Sequence, residues 1–466
     1  MTKKARTILF LICLALFILT APTIILYSQG YRVDIDSKKI TQTGGLFLKV
    51  IPKQVEVFID GKLKKKTDFF FGSALIENLL PRKYKIEIKK EGYELWEKNL
   101  EVKEKEVIEV KNIVLIPKNQ NFSILTENAK EFWFSPDEKK IILLEEDKSS
   151  SPPSLLLRKS SVSEKTETGW ALKLYDLERN VKSHLVDEYS FISTSRYARV
   201  IDEKDIYSKG ADLLELEFSS DSKEIFLEVG VEEQLKYFTL EIDKVPPVLT
   251  ERKIASTPED IVTSQVFNGE NYYLDNSGHL FKNPSIAKGE DERKFIDYGE
   301  KITEKPFPIK AETEYKLNIF PENIFLWENK TLYLFSPNSK SFEKFFENAS
   351  LLTISPDNKK LVLISDYEIW ILFLKEIANQ PQRKAGEQLF LVRLSEKIGD
   401  CFWLNSDYLI FNAANKIKIA EIDDRDKTNI VDVAEFESPE IFWNQFDKKL
   451  YILSGNNLSQ SEKLLP

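Results

Sequence analysis

The stretch Phe132-Trp-Phe-Ser-Pro-Asp-Glu-Lys-Lys-Ile-Ile-Leu-Leu144 recurs, more than 200 residues later, as Leu352-Thr-Ile-Ser-Pro-Asp-Asn-Lys-Lys-Leu-Val-Leu-Ile364. In each copy a short apolar run leads into a Ser-Pro-Asp turn, two lysines follow, and a second apolar run begins. Proline fixes φ for the turn and the aspartate bonds its own backbone, so the phrase predicts two antiparallel strands joined by a tight turn. Repetition of such a unit is typical of modular β-architectures, and we expect a β-propeller.

Shorter versions of this unit recur from about residue 118 to residue 466. Seven candidate first strands occur at uneven spacings, namely Phe132–Phe134, Leu216–Phe218, Gln265–Phe267, Tyr315–Phe320, Leu352–Ile354, Phe402–Leu404 and Ile441–Trp443. The last unit has room for only three strands, and Phe122–Leu125 is the candidate fourth strand that would close the ring. We therefore predict an all-β propeller of about seven blades over residues 118–466, with six or eight blades as alternatives.

The Ser-Pro-Asp-x-Lys-Lys phrase is similar to the repeat of TolB-like propellers, in which a Ser-Pro-Asp-Gly turn joins the first two strands of a blade. Here Glu138 and Asn358 stand in the glycine position. The resemblance implies a structural role for the motif. We expect Asp137 and Asp357 to form turns rather than to bind calcium, because one carboxylate per turn supplies too few of the required oxygen ligands.

The N-terminal segment, residues 1–28, has the pattern of a membrane anchor. Three basic residues precede nineteen uncharged residues, Ile8 to Leu26. A helix of that length spans roughly 28 Å, about the thickness of the hydrocarbon core of a bilayer. The basic residues favour a cytoplasmic N-terminus, with the rest of the chain outside the membrane. A cleaved signal peptide and a buried helix are the alternatives, although Pro22 after the nearest small-residue site disfavours cleavage.

Residues 45–117 form a second, smaller unit, and residues 29–44 are assigned to a linker. Candidate strands separated by turn residues cover 46–51, 55–59, 84–89, 95–100 and 107–115. Asp60-Gly61 is a strong hairpin turn. Five or so antiparallel strands in about 70 residues predict a small β-sandwich.

The landmarks of this unit resemble those of the PEGA domain family. They are a Leu-Pro-x-x-Tyr-x-Ile-x-Ile run at 80–88 and a Glu-Gly-Tyr-x-x-Trp run at 91–96, after the Asp-Gly turn. Departures from the family pattern, at 52–55, 67–68 and 82–83, fall in loops. The resemblance implies a small β-sandwich of bacterial envelope proteins, a role in surface or envelope interaction, and no catalytic residues to carry over.

Within the small unit, the basic run Lys62–Lys66 is followed closely by Phe69–Phe71. A basic run beside aromatic residues suits the headgroups of anionic lipids. The alternative is a solvated hairpin, followed by a strand whose phenylalanines fill the core. We expect the second arrangement.

No catalytic residue, cofactor site or metal site is predicted. The chain has two histidines: His184 falls in a candidate fourth strand, and His279 falls in a turn after Ser277-Gly278. Neither has a Gly-x-Ser-x-Gly elbow to serve, and the sequence lacks Cys-x-x-Cys, His-Glu-x-x-His and Gly-rich phosphate-loop patterns. Carboxylates are abundant, so a hydrolase with a carboxylate pair stays open as an alternative.

Two long segments interrupt the repeats and are candidates for recognition. Residues 147–169 are rich in Ser and Pro, and residues 189–211 carry Arg196, Tyr197 and Arg199. Loops on a rigid ring are frequent recognition sites, and tolerated insertion is the alternative explanation.

Charge divides the chain in two. Residues 1–117 contain 21 Lys and Arg against 14 Asp and Glu, whereas the remaining residues contain 45 against 61. The acidic ring argues against a nucleic-acid partner, and the basic portion suits a position beside anionic lipid or wall polymer. The alternative is that this charge serves only solubility.

These observations predict a single-pass protein of the bacterial cell membrane that has its bulk outside. We expect a non-catalytic envelope scaffold or receptor that binds a protein or a cell-wall glycan through its β-domains. One alternative is a ligand-binding propeller that serves another membrane protein, and a less favoured one is the carboxylate-dependent hydrolase.

Overall fold

The N-terminal helix stands apart from the rest of the protein. In a computed structural model, the residues described are 3–34, 38–147, 169–191, 211–231, 234–252, 261–268, 270–284 and 299–465. Helix α1 spans Lys3–Ser28, and the hairpin β1 (Tyr31–Asp34) and β2 (Lys39–Gln42) follows it. The segment Arg6–Ser28 has a mean hydropathy of 2.8, is long enough to cross a membrane, and has none of its most apolar stretch buried in the protein. The buried-helix alternative is therefore wrong, while a membrane span and a signal sequence both fit.

The small unit is a β-sandwich of two facing sheets. Its strands are β3 (Gly44–Ile51), β4 (Glu56–Ile59), β5 (Lys62–Lys66), β6 (Ser73–Leu79), β7 (Lys83–Lys89), β8 (Trp96–Glu101) and β9 (Val107–Val114). One sheet has the order β6-β3-β9 and the other β5-β4-β7-β8, so β5 and β6 lie on one side of the sandwich and β8 and β9 on the other. Alternating Leu, Val and Ile side chains from both sheets form the core.

This sandwich differs from the sequence-based prediction in two respects. It has seven strands in its two sheets rather than about five. Strand β5 completes the solvated hairpin expected at Lys62–Lys66, and β6 was not predicted. The expectation of purely antiparallel pairing is also wrong, since β3 and β9 are parallel neighbours.

The remaining strands form seven four-stranded antiparallel sheets within the described part of the chain. Blade 1 comprises β11 (Ala129–Phe134), β12 (Lys140–Asp147), β13 (Gly169–Asp176) and β14 (Val181–Asp187). Blade 2 comprises β15 (Asp212–Phe218), β16 (Glu224–Val231), β17 (Gln234–Glu241) and β18 (Val248–Arg252). Blade 3 comprises β19 (Ile261–Phe267), β20 (Glu270–Asp275), β21 (Leu280–Pro284) and β22 (Glu300–Lys301). Blade 4 comprises β23 (Tyr315–Phe320), β24 (Asn323–Glu328), β25 (Thr331–Ser336) and β26 (Ser341–Phe346). Blade 5 comprises β27 (Ala349–Ile354), β28 (Lys360–Ser365), β29 (Glu368–Phe373) and β30 (Gln388–Arg393). Blade 6 comprises β31 (Ile398–Asn405), β32 (Tyr408–Ala413), β33 (Lys416–Glu421) and β34 (Ile430–Glu435).

Blade 7 closes the ring with a strand from the other end of the propeller. It consists of β35 (Glu440–Asn444), β36 (Lys449–Ser454), β37 (Asn457–Ser461) and β10 (Phe122–Glu127). Phe122 lies opposite Ser461 and Glu127 lies opposite Asn457, in antiparallel pairing. The predicted closure is thus confirmed, and it removes two exposed sheet edges.

The predicted first strands are confirmed as well, since all seven fall in β11, β15, β19, β23, β27, β31 and β35. First strands of neighbouring blades contact one another, as β19 does β23 and β31 does β35, so they line the centre of a seven-bladed propeller. Apolar side chains fill the spaces between blades; between blades 6 and 7, for example, Ile410 and Trp443 are buried in one cluster.

The Ser-Pro-Asp phrases form the predicted turns. The hydroxyl of Ser135 donates to Asp137 Oδ1 at 2.6 Å, and the same carboxylate accepts the Lys139 N–H at 3.2 Å. The turn at Ser355–Lys359 repeats both contacts. Glu138 and Asn358 have φ of 57° and 54°, the left-handed conformation that explains why glycine is common there in the resembling repeats.

Antiparallel blades give the ring two distinct faces. Turns between first and second strands, and between third and fourth strands, lie on one face, which we call the docked face because the sandwich contacts it. The starts of the first strands, and the turns between second and third strands, lie on the other, which we call the open face.

Candidate functional site

A buried ion pair joins the sandwich to the docked face. Lys98 of β8 and Glu421 of β33 are 2.7 Å apart, and their side chains are 0% and 4% exposed. The indole N–H of Trp96 donates to the second carboxylate oxygen of Glu421 at 2.8 Å. Burial raises the pKa of Glu421, and the charge of Lys98 opposes that shift. The ammonium of Lys98 therefore favours the ionised form of Glu421 against the effect of burial.

Lys98 is also held by backbone oxygens of the propeller. Its ammonium donates to the carbonyls of Asp423, Arg425 and Lys427 at 2.7, 2.9 and 2.9 Å. These three carbonyls belong to the loop between β33 and β34. A buried ammonium is tolerated only when its donors are satisfied, and here the propeller loop supplies the acceptors.

The edge strand β9 is fixed to the same face. The amide side chain of Gln380 accepts the Glu109 N–H at 3.0 Å and donates to the Val107 carbonyl at 3.1 Å, as a neighbouring strand would. Further along β9, the buried Tyr408 hydroxyl accepts the Val114 N–H at 3.0 Å. The docked face thus covers both β8 and β9, leaving a cavity of about 510 Å³ between sandwich and ring.

The open face carries a separate cavity of about 600 Å³. It lies between blades 4, 5 and 6 and is lined mainly by charged and polar side chains, among them Glu314, Lys316, Asn318, Lys330, Asp366, Lys397 and Asp400, with Trp327 as its one aromatic lining residue in the described chain. Asp366 is 3.3 Å from Lys330 and 3.5 Å from Lys397, and these lysines lower its pKa. This surface offers exposed charges of both signs.

Carboxylates from three adjacent first strands approach one another near that cavity. Asp400 lies on β31, Glu440 on β35 and Glu131 on β11. Burial, followed by the charges of Asp400 and Glu131, raises the pKa of Glu440. Burial likewise raises the pKa of Asp400, whose carboxylate accepts the Ile441 N–H at 2.9 Å. Sequence reasoning did not single out these residues, because nothing in their local context separates them from other acidic residues of the chain.

The two histidines lie in separate structural settings. His184 is exposed on β14, the fourth strand of blade 1, as predicted. His279 ends a turn in blade 3, where its ring nitrogens lie 3.2 Å from Thr303 Oγ1 and 3.0 Å from Lys301 Nζ. No group of three or more His, Cys, Asp and Glu side chains suited to a metal ion occurs among the described residues.

Phe69–Phe71 do not fill the core of the sandwich, so that expectation is wrong. Their side chains are 64%, 74% and 73% exposed, on the turn between β5 and β6. Sequence reasoning also placed recognition loops at 147–169 and 189–211; residues 148–168 and 192–210, with Arg196, Tyr197 and Arg199, lie outside the described residues.

The buried ion pair had a detectable signal in the sequence. Lys98 alternates with Trp96 and Leu100, so it occupies an inward position of β8. Glu421 likewise shares a strand face with Ile417 and Ile419. A charged residue in a core register predicts a buried partner, but the pattern does not identify that partner.

Comparisons with known proteins give the fold only. No protein family and no curated protein matches the sequence. Solved structures that are similar over 74% of this chain include the mitotic checkpoint complex (9% identity, 92% of that chain, TM-score 0.42), the Cps50 (Swd1) β-propeller domain of Myceliophteria thermophila (9%, 99%, 0.39) and virginiamycin B lyase from Staphylococcus aureus (11%, 99%, 0.40). Similarity at this level transfers neither a partner nor an activity. The propeller assignment rests on the strand pairing described above.

Proposed function

We propose that this protein is a membrane-anchored, non-catalytic scaffold or receptor of the bacterial cell envelope, which binds a protein partner through the open face of its propeller. One observation carries the proposal: the sandwich occupies the docked face through the buried Lys98–Glu421 pair, which leaves the cavity of the open face for another molecule. Helix α1 supplies the anchor, with its N-terminus in the cytoplasm. The resemblance to PEGA domains and to TolB-like propellers supports an envelope location.

The composition of the cavity favours a macromolecular partner over a small apolar ligand. Small-molecule sites are mostly apolar with a few placed polar groups. The open-face cavity differs in placing several charged residues, such as Lys316 and Lys397, beside apolar ones such as Trp327. Exposed charges of both signs suit the polar rim of a protein interface. A cell-wall glycan is the alternative partner.

Site-specific photo-crosslinking in intact cells tests this proposal. A photoreactive amino acid at Lys330 samples the open face, and one at Lys223 samples the docked face away from the sandwich; both lysines are exposed in turns between strands. We expect a discrete protein adduct from Lys330 and none from Lys223. Adducts from Lys223 alone would refute the proposal. Sedimentation of the full-length protein with isolated sacculi identifies the glycan alternative.

A second function is favoured by the carboxylates Asp400, Glu440 and Glu131. Asp400 and Glu440 have a raised pKa, and such acidic residues beside a cavity are candidates for general acid catalysis, so a hydrolase that acts on a wall glycan is the competing proposal. Release of soluble sugar from sacculi by the wild type, but not by Asp400→Asn, would establish it. We expect no release by either protein.

A further inference from the structure

The exposed phenylalanines lie on a turn whose backbone is fixed by hydrogen bonds. The Asp68 carboxylate accepts the backbone N–H groups of Phe70 and Phe71 at 2.9 and 2.6 Å, and the N–H and hydroxyl of Ser73 at 2.7 and 2.5 Å. Gly72 has a φ of +67°, and a Cβ there would lie 2.4 Å from the Val50 carbonyl oxygen. The turn is therefore fixed by its own hydrogen bonds and tight backbone packing, while its aromatic rings face solvent.

A row of lysines lies along the adjoining edge of the sandwich. The edge strand β5 has the sequence Lys-Leu-Lys-Lys-Lys, and each of its five residues is exposed. Lys65 donates to the Leu75 carbonyl of β6 at 3.1 Å, which ties the two edge strands together. Lysines on an edge strand discourage pairing with another strand. The edge thus presents positive charge beside the aromatic turn and is unsuited to extension by a β-strand.

The anchor helix ends beside one end of this edge. The segment after the helix also contacts the β8–β9 loop, where the Lys105 N–H donates to the Thr43 carbonyl at 3.3 Å. The Arg32 guanidinium donates to the Asn78 side chain of β6 at 2.7 Å, donates to the Tyr27 carbonyl at 2.8 Å, and lies 3.5 Å from the centre of the Tyr27 ring. Tyr27 is in the last turn of α1. Asn78 lies near the end of β6 and the phenylalanine turn precedes the start of that strand, so at about 3.3 Å per residue roughly 17 Å of strand separates the anchor contact from the turn.

The opposite edge of the sandwich is the one that holds the propeller, through Lys98 on β8 and Val114 on β9. The sandwich therefore lies between anchor and ring. When its β5–β6 edge faces the bilayer that α1 enters, the phenylalanine turn and the lysine row both reach that surface, and the propeller is on the far side.

We propose that Phe69–Phe71 and Lys62–Lys66 form a second membrane contact, which binds the surface of an anionic lipid bilayer. The rings enter the interfacial region and the ammonium groups lie over the headgroups, as in amphipathic segments at membrane surfaces. Charge complementarity and the anchor at the same edge favour a bilayer over a protein occupant. This inference rests on the proposed anchoring function, which supplies a bilayer close to the turn.

Depth-dependent quenching in nanodiscs tests the contact with the full-length protein. A bimane label is placed at Phe70→Cys in a Cys13→Ala background, since Cys401 is buried. The discs contain phosphatidylcholine alone, or with 30% phosphatidylglycerol, together with lipid that carries a nitroxide near the headgroup. We expect strong quenching in anionic discs and weak quenching in neutral ones. Equal, weak quenching in both would overturn the proposal.

Two comparisons exclude a structural artefact. Replacing Lys62, Lys64, Lys65 and Lys66 with Gln is expected to weaken the binding of the turn to anionic discs, as measured by quenching, by roughly tenfold or more. The same change at four exposed propeller lysines outside the open-face cavity should leave the quenching unchanged; these are Lys223, Lys340, Lys344 and Lys375. A label at Lys330→Cys, on the open face of the propeller, should stay unquenched. Quenching that persists without the four edge lysines would contradict the proposal.

The anchor assignment and the second membrane contact can be tested separately. If the protein does not enter nanodiscs, the anchor assignment is wrong, and the contact is then tested by adding the full-length protein to preformed vesicles that contain phosphatidylglycerol. Binding that the edge-lysine variant loses would support the contact, and absence of binding would overturn it.

Discussion

The two faces of the propeller differ in how their charged groups are held. On the docked face, Lys98 is 0% exposed and has a carboxylate and three carbonyls as acceptors. On the open face, Lys330 is more than half exposed and shares Asp366 with Lys397. A buried pair tolerates no loss of either partner, whereas exposed pairs exchange readily with solvent or with another protein. The docked face is thus suited to a permanent contact and the open face to a reversible one.

Replacing Lys98 should have the largest effect on the contact between the sandwich and the docked face. Lys98→Met leaves the Glu421 carboxylate buried without its counter-charge and leaves three carbonyls without a donor, so we expect a loss of about 3–5 kcal/mol in the free energy of unfolding. Chemical denaturation of the detergent-solubilised protein measures it. The matched control is Lys427→Met, which removes a lysine whose side chain is 62% exposed from its pair with Glu97 and should cost less than about 1 kcal/mol. Equal costs for the two variants would refute the distinction.

Removing one hydroxyl should give a smaller loss at the same contact. Tyr408→Phe leaves the buried Val114 N–H without its acceptor, and we expect a cost of about 1–3 kcal/mol by the same denaturation measurement. Tyr367→Phe, at a tyrosine that is 45% exposed, should be nearly neutral. A neutral Tyr408→Phe would show that β9 does not depend on this bond.

Two aspartates of the open face should respond to pH in opposite directions. The folded-state pKa of Asp400 is raised, so the wild type loses stability as pH rises from the ordinary aspartate pKa through the folded one, and Asp400→Asn should be the more stable protein above that range. The folded-state pKa of Asp366 is lowered, so the ionised carboxylate stabilises the folded protein above the ordinary aspartate pKa. This stabilisation is lost as pH falls through the folded-state pKa. Asp366→Asn should therefore be slightly less stable at neutral pH and equal to the wild type in acid. Melting temperatures from pH 3 to pH 8 check both signs.

Charge reversal on the open face should have the smallest effect on stability. Lys330→Glu combined with Lys397→Glu alters exposed side chains, so we expect a change within about 1 kcal/mol. The same variant should lose the protein adduct obtained by photo-crosslinking from a position on that face. An unchanged adduct would show that the lysines of the cavity are not part of the surface that binds the partner.

Most of the propeller could be predicted from the sequence because its strands are local and repetitive. All seven first strands and the closing strand β10 have apolar runs bounded by turn residues. Lys62–Lys66 was expected as a solvated hairpin but was not counted among the candidate strands, because it has no apolar alternation. The turn at Phe69–Phe71 was mistaken for core, since aromatic residues usually fill one, while the hydrogen bonds of Asp68 and the positive φ of Gly72 decided the conformation.

The contact between sandwich and ring could not be predicted from the sequence. Trp96 and Glu421 are 325 positions apart, and no local pattern identifies one as the partner of the other. What a strand pattern does show is that Lys98 points inward. The identity of its acceptor is a property of the folded chain.

A pulsed electron–electron distance measurement tests most directly whether one face is permanently held. Spin labels at Lys103→Cys on the sandwich and Lys330→Cys on the open face, in a Cys13→Ala background, report the orientation of the two units in the full-length protein. We expect a single narrow distance distribution that broadens in Lys98→Met. A broad distribution in the protein with Lys98 intact would contradict a permanent contact, because the sandwich would then move relative to the propeller.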